Sequence, residues 1–234
     1  MTTILCIETS GRTCSVALST DGTMVFEKSD SCGQAHSRLL HPFIQDALDQ
    51  AKSLGLRLDA VAVSAGPGSY TGLRIGVSAA KGLCYALDIP LLTISTLELL
   101  AFTALPRIAD TNALLCPMID ARRMEVYTAM YDKQLQIHSP LAAVVIDEHS
   151  FEDTLASSFV CFFGSGAEKC KRVFTSSHAM FLDDIDTEAR NMCVPAQKRW
   201  EEKQNVDIAY FEPHYLKDFV ASRPRNKVLG QSER

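Results

Sequence analysis

A glycine-rich segment has the most distinctive residue spacing in the chain. Gly66, Gly68 and Gly72 stand in the run GPGSYTG, and their GxGxxxG spacing is one residue longer than the dinucleotide-binding fingerprint. The Gly-Lys-Ser/Thr ending of a P-loop is also missing. A glycine-rich loop that leads into a helix could still hold an anion at the helix N-terminus. The alternative is a tight turn from strand to helix, in which Gly66 and Gly68 supply the backbone freedom.

Two carboxylates, Glu8 and Asp120, each end a predicted strand just before a turn. A carboxylate in that position could hold a magnesium ion, and the alternative is a side chain that faces water. The only close histidine pair, His36 and His41, lies about 140° apart around a helix, whereas histidines that share an ion are four residues apart. The Gly-x-Ser-x-Gly elbow of serine hydrolases is absent. The sequence therefore predicts no metal site and identifies no catalytic residue.

Length and composition restrict the class of protein. The chain has 234 residues, 47% of them hydrophobic, and a net charge of −5, so it can bury a sizeable core but is not a general polyanion binder. No run is long enough to span a membrane, and the N-terminus lacks the basic region of a signal peptide. The eight cysteines form no C-x-x-C pair, which predicts reduced, buried thiols in a cytoplasmic protein.

The strands and helices predicted for the first half of the chain hold the glycine-rich segment in place. Alternating and apolar runs predict a meander of three strands, with a hairpin signal at Asp21–Gly22, followed by alternating helices and buried strands. The predicted strands are 3–8, 14–19, 23–28, 60–64 and 91–95, and the predicted helices are 36–54, 71–87 and 97–104. Thr71 or Ser69 is the candidate N-cap of the second helix.

The second half repeats this pattern in weaker form after a boundary near Pro106, which gives predicted domains of residues 1–105 and 106–234. Its predicted strands are 113–119, 125–131, 135–138, 141–146 and 160–163, and its predicted helices are 150–157, one that begins near 167, and 187–203 with Pro195 as an interruption. The basic tail, 223–234, has the composition of a disordered segment and could touch RNA.

Helices 36–54 and 71–87 carry more apolar surface than one packing face requires. Apolar residues cover about 180° of the first helix. On the second, the polar positions stay within a stripe of roughly 80°; they are Arg74, Ser78, Lys81, Tyr85 and Asp88. A packing stripe is usually about 100° wide. Each helix is therefore predicted to lie deep in the core or to be covered on a second side by another molecule.

Five short segments, taken together, form a recognisable set. They are IETS at 7–10, HSRLL at 36–40, GPGSYTGLRIG at 66–76, IDARRMEVY at 119–127 and PHYLK at 213–217. This set resembles the TsaB family of tRNA threonylcarbamoyladenosine biosynthesis proteins, and the resemblance covers the chain nearly end to end. The sequence departs from the family at Lys217, where arginine is usual, and matches it least well at 150–205.

The resemblance implies an α/β chain with the actin-like ATPase (ASKHA) fold, built from two RNase H-like βββαβα halves. It also implies a non-catalytic subunit, without a cofactor, that pairs with a TsaD-like catalytic paralogue. With a TsaE-like ATPase, that complex transfers a threonylcarbamoyl group to the adenosine beside the tRNA anticodon. The chain would then meet tRNA only through the complex and form a homodimer when the partner is absent. Of the paralogue's His-x-x-x-His metal motif only His36 remains, because Leu40 stands at the second position.

The resemblance further implies roles for particular residues. The partner interface would lie on the two helices, at His36, Leu39, Leu40, Phe43, Ile44, Ala47, Leu73, Arg74, Val77 and Lys81. A nucleotide loop inherited without its nucleotide would comprise Glu8, Gly66, Gly68, Ser69, Tyr70, Thr71 and Gly72. Two alternatives remain open: an ATP-dependent phosphotransferase or ATPase of the same fold, suggested by the glycine loops and carboxylates, and a metallopeptidase, suggested only by the old glycoprotease-like family name.

Overall fold

The computed structural model describes residues 1–33, 35–110 and 112–216, which form two mixed β-sheets and their covering helices. The first half contains β1 (Thr3–Glu8), β2 (Cys14–Thr20), β3 (Thr23–Asp30), α1 (His36–Ser53), β4 (Ala60–Ser64), α2 (Tyr70–Leu87), β5 (Leu91–Ile94) and α3 (Thr96–Ala104). The remainder contains β6 (Leu114–Asp120), β7 (Glu125–Tyr131), β8 (Ile137–Val145), α4 (Glu152–Ser157), β9 (Val160–Phe163), β10 (Ala179–Leu182), α5 (Cys193–Glu201) and β11 (Asn205–Val206). Short 3-10 turns occur at Leu105–Arg107, Glu168–Cys170 and Ala189–Met192.

The first sheet has the strand order β11-β5-β4-β1-β2-β3. Its first three strands form an antiparallel meander, and Asp21 and Gly22 both adopt positive φ in the turn between β2 and β3, as two-residue hairpin turns of this kind require. β4 and β5 run parallel to β1. Parallel strands need crossover connections, and α1 and α2 provide them.

Both faces of the central strands of the first sheet are buried, whereas the edge strand β3 is largely exposed. One face packs against α1 and α2, and Leu40, Ile44 and Val77 of these helices join one apolar cluster with residues of β1, β2 and β4. The other face packs against α3 and α5 through Leu99 and Ala196. Burial on both faces explains why β1 and β4 are almost continuously apolar.

The second sheet has the strand order β10-β9-β6-β7-β8. An antiparallel meander of β6, β7 and β8 is again followed by strands parallel to its first member. α3 also packs on this sheet, through Leu97 and Leu100, and Leu155 of α4 covers the opposite face beside Phe162. The predicted α/β class is confirmed, and each half has a three-stranded meander followed by parallel strands.

The element predictions for the first half are confirmed to within two residues at each end, whereas several for the second half are wrong. Segments 135–138 and 141–146 form the single strand β8, and the helix expected from residue 167 is only the turn Glu168–Cys170. The helix expected at 187–203 is the shorter α5, in which Pro195 lies in the first turn. A proline is tolerated there because the first turn needs no N–H donor at that position.

The last elements of the described chain return to the first sheet. β11 pairs with β5, and α5 lies against β1 and β5. The division into domains 1–105 and 106–234 stays a prediction, and both Lys217 and the basic tail lie outside the described residues. None of the helices in the described part of the chain has the length and apolar character needed to cross a bilayer. All eight cysteines are free thiols, and only Cys32 is exposed.

Candidate functional site

The glycine-rich loop packs tightly on the turn that follows β1. Ser69 N donates to Ser10 O at 2.7 Å, and Thr9 Oγ1 donates to Gly72 O at 2.8 Å. A Cβ added at Gly68 would collide with Ser10 O, and one added at Gly72 would collide with Thr9 O. The glycines therefore permit close approach of two backbones, and the space beside them is filled by the chain itself.

The start of α2 differs slightly from the prediction. The helix begins at Tyr70, and Ser69 is its N-cap because the Ser69 Oγ accepts from Gly72 N at 3.2 Å. Thr71, the other candidate N-cap, lies inside the first turn and is exposed. Gly66, before the cap, has a φ of +94°, a left-handed conformation that favours glycine.

Glu8 is buried instead of facing water. Its Oε1 accepts from Ser10 N at 2.6 Å, and its Oε2 accepts from Ser64 Oγ. Burial raises the pKa of the Glu8 carboxyl, and the two serine hydrogen bonds oppose that rise. Both oxygens thus accept hydrogen bonds, one from the turn after β1 and one from the end of β4, which explains how a carboxyl group can be accommodated there.

Asp120 has a different environment at the end of β6. It is exposed, accepts from Arg122 N at 3.0 Å and forms an ion pair with Lys169 of the second half. Across the described ranges, no cluster of three or more histidine, cysteine, aspartate or glutamate side chains has the arrangement of a metal site.

The ten residues predicted at a partner interface divide into two groups. Five are buried in the core between the helices and the first sheet, and these are Leu40, Ile44, Ala47, Leu73 and Val77. The other five reach the surface: Arg74 is exposed, and His36, Leu39, Phe43 and Lys81 are half-buried. Only half of the predicted interface residues are therefore accessible to a partner.

A groove of about 410 Å³ separates the N-terminal halves of α1 and α2. Its lining residues are Ser37, His41, Arg74, Ile75, Ser78 and Ala79. Both helices connect parallel strands in the same sheet, so they point in the same direction, and the start of α1 faces residues 74–79 of α2. Of the lining residues, only Arg74 belongs to the predicted interface, although the four-residue spacing of Ile75 and Ala79 was a signal for an outer apolar stripe.

The C-terminal segment, residues 207–216, runs back along α2. Lys81 Nζ donates to Phe211 O at 2.9 Å, and His214 N donates to Ala65 O at 2.8 Å. At the start of the helix, the rings of Tyr70 and Tyr215 lie 4.9 Å apart. The segment thereby covers the glycine loop from outside.

Arg74 joins this aromatic contact. Its guanidinium carbon lies 4.5 Å from the centre of the Tyr70 ring, and its hydrogen bond to Tyr215 is the main cause of the raised pKa of Arg74. Tyr215 was not among the predicted site residues. Its position in the PHYLK segment was the available signal, but nothing in the sequence placed that segment beside α2.

Comparisons with known proteins agree with one another. The model of the family described as TsaD, tRNA N6-adenosine threonylcarbamoyltransferase, matches residues 29–224. The chain is 32% identical to the tRNA threonylcarbamoyladenosine biosynthesis protein TsaB of Bacillus subtilis (strain 168), over 92% of this chain and 94% of that protein. It is also 32% identical to the protein of the same name from Escherichia coli (strain K12), over 93% and 96% of the two chains.

A solved structure shows the same architecture. It is a protein from Pseudomonas aeruginosa described as similar to peptidase YEAZ, and it superposes with a TM-score of 0.79 at 27% identity. The match covers 93% of this chain and 100% of that one.

Proposed function

The chain belongs to the TsaB family of tRNA threonylcarbamoyladenosine biosynthesis proteins, and from that membership we propose that it is a non-catalytic subunit. In this proposal it docks a TsaD-like catalytic subunit in the cytoplasm and, with a TsaE-like ATPase, supports threonylcarbamoylation of the adenosine beside the tRNA anticodon. It touches tRNA only through the complex. Participation in threonylcarbamoyladenosine biosynthesis follows from the family itself.

The observation that carries the proposal is the environment of Leu40. This residue stands where the second histidine of the catalytic paralogue's His-x-x-x-His motif is expected, and its side chain is 0% exposed. It packs in the apolar core beneath α1 and α2. An apolar side chain in a closed core offers no ligand atom, so His36 would have no partner four residues away with which to share a metal.

The glycine loop supports the same conclusion. Its glycines face the backbone of Thr9 and Ser10, and the C-terminal segment lies over its outer side. Glu8 uses both oxygens in hydrogen bonds to serines. These contacts give the motif a structural purpose that requires no nucleotide.

The proposed partner surface is narrower than the sequence suggested. It consists of the groove between α1 and α2. The predicted residues Leu39 and Phe43 lie more than about 100° around α1 from the groove residues Ser37 and His41 and pack partly against the core, so they fall outside this surface. The buried residues Leu40 and Val77 would support this surface from beneath. A groove between two helices can dock a partner's helix through its apolar part, which here is Ile75 and Ala79.

Reconstitution tests the proposal. The TsaD-like and TsaE-like proteins of the same organism, an unmodified tRNA, ATP and the threonylcarbamoyl donor are combined with and without this chain. We expect modified adenosine only when the chain is present, and none when the chain is supplied without the TsaD-like protein. Full product without the chain, or product from the chain without its TsaD-like partner, would overturn the proposal.

A further inference from the structure

We propose that the groove between α1 and α2 seats an acidic side chain of the catalytic partner, and that Arg74 is the residue that recognises it. The inference rests on the proposed function, because it specifies the chemistry of the partner at the same surface. Tyr70 and Tyr215 are positioning residues that hold the guanidinium of Arg74 at the mouth of the groove.

Arg74 is oriented by aromatic rings and forms no ion pair with any of the residues that the structure describes. Its guanidinium carbon lies 4.5 Å from the centre of the Tyr70 ring, and the Tyr215 ring packs against Tyr70 at 4.9 Å, so the two rings position the guanidinium. No carboxylate in the described ranges lies within ion-pairing distance of it, and Glu212 on the C-terminal segment is only a weak influence. A fixed guanidinium with outward N–H groups matches the two oxygens of a carboxylate.

The groove around Arg74 is positive. Its lining contains one arginine, one histidine, two serines and no acidic residue. Acidic side chains are favoured in the first turn of a helix because they offset the positive end of the helix dipole, yet neither α1 nor α2 has one there. The first turn of α1 reaches the groove through Ser37, so the positive end of that helix adds to the charge of Arg74.

A protein segment fits this groove better than a nucleic acid does. Ile75 and Ala79 form an apolar part of the lining, which suits the carbon chain of a glutamate and its apolar neighbours. The chain as a whole has a net charge of −5, which disfavours a polyanion such as tRNA. A glutamate on a partner helix could pair its carboxylate with Arg74 and pack its carbon chain against Ile75 and Ala79.

The test is the affinity of the purified TsaD-like partner at low and at near-physiological salt. For the wild-type chain, we expect the affinity to fall with salt, because a charge pair at the edge of an interface is screened. Arg74→Met should weaken binding roughly 30-fold at low salt and flatten the salt dependence. The matched control is Arg57→Met, which removes the same charge from an exposed site in the loop after α1 and should bind like the wild type.

Two further variants separate charge from positioning. Arg74→Lys keeps the charge but cannot present a planar fork or stack in the same way, so it should bind with an affinity between those of the wild type and Arg74→Met. Tyr215→Phe keeps the ring but loses the hydroxyl that raises the pKa of Arg74, and should weaken binding about threefold with an unchanged salt slope. Thermal unfolding of each variant verifies the fold, and Arg74→Lys serves as the test variant if Arg74→Met is unstable.

The outcomes distinguish this inference from the proposed function. If the wild-type chain does not bind the TsaD-like protein, the proposed function fails and the inference fails with it. If the wild type binds but Arg74→Met keeps the same affinity and salt slope as Arg57→Met, only the acidic recognition is overturned. Loss of affinity and of salt dependence in Arg74→Met alone supports it.

Discussion

The carboxyl group of Glu8 joins the end of β1 to two neighbouring segments. Ser10 N donates to one oxygen from the following turn, and Ser64 Oγ donates to the other from the end of β4. The side chain is 0% exposed, so no water replaces these donors if they are lost. Glu8 therefore acts as a polar link that sets where β1, β4 and the glycine loop meet.

The pH dependence of this link can be tested with Glu8→Gln and Glu8→Ala. Because folding raises the pKa of Glu8, its stabilising contribution is complete below the unfolded-state pKa and is lost as the pH rises through the folded-state pKa. Glu8→Gln keeps an acceptor and a donor, so we expect it to gain stability relative to the wild type as the pH rises.

Glu8→Ala should lower the free energy of unfolding by about 1–3 kcal/mol because the Ser10 N–H loses its acceptor. Thermal unfolding across about pH 4 to 8 measures both effects, and parallel pH profiles for the wild type and Glu8→Gln would contradict the raised pKa.

At the scale of an element, the glycines of α2 fall into two kinds. Gly72 and Gly76 face Thr9 so closely that an added Cβ would overlap its oxygen atoms. Gly82, two turns later in the same helix, has no atom within 4 Å of such a Cβ. The first two glycines allow the helix to approach the sheet, whereas Gly82 packs against none of the described residues.

This difference predicts opposite effects of the same substitution. Gly72→Ala should lower the free energy of unfolding by about 3 kcal/mol because the backbone of Thr9 must move away. Gly82→Ala is the matched control and should raise it by about 1 kcal/mol, the difference in helix propensity between the two residues. Urea unfolding followed by circular dichroism measures both midpoints. A stable Gly72→Ala protein would show that the close approach of α2 to Thr9 is not required.

The sequence-based predictions were correct where the local residue pattern is clear. β1 and β4 are short apolar runs with glycine or polar residues at their ends, and the Asp21–Gly22 turn fixes the meander, so the first half was predictable. β11 has only two residues and owes its existence to pairing with β5, which no local pattern reveals. The groove shows the same limit, since the sequence identified apolar helices but could not show which side of each helix the sheet covers.

At the scale of the whole molecule, the apolar arcs of α1 and α2 serve two purposes. The chain's own sheet covers the larger part, including Leu40 and Val77. A charged substitution at either position would therefore disrupt the core, and its effect on partner binding could not be interpreted. The smaller part, which includes Ile75 and Ala79, lines the open groove. A test of assembly must therefore use the groove residues.

Ala79→Glu tests assembly through the groove and keeps the core intact. The substitution places a bulky carboxylate beside Ile75, so it should fill the space that an incoming side chain would occupy and bring a charge to the centre of the interface. We expect sedimentation to show at least about tenfold weaker association with the TsaD-like partner, and loss of any homodimer of the isolated chain. Ala156→Glu, the same change on exposed α4 in the second half, should leave both associations unchanged. Because Ala79 is only partly buried, the thermal midpoint should fall by a few degrees at most. Undiminished assembly of a folded Ala79→Glu chain would mean that partners bind elsewhere than at the α1–α2 groove.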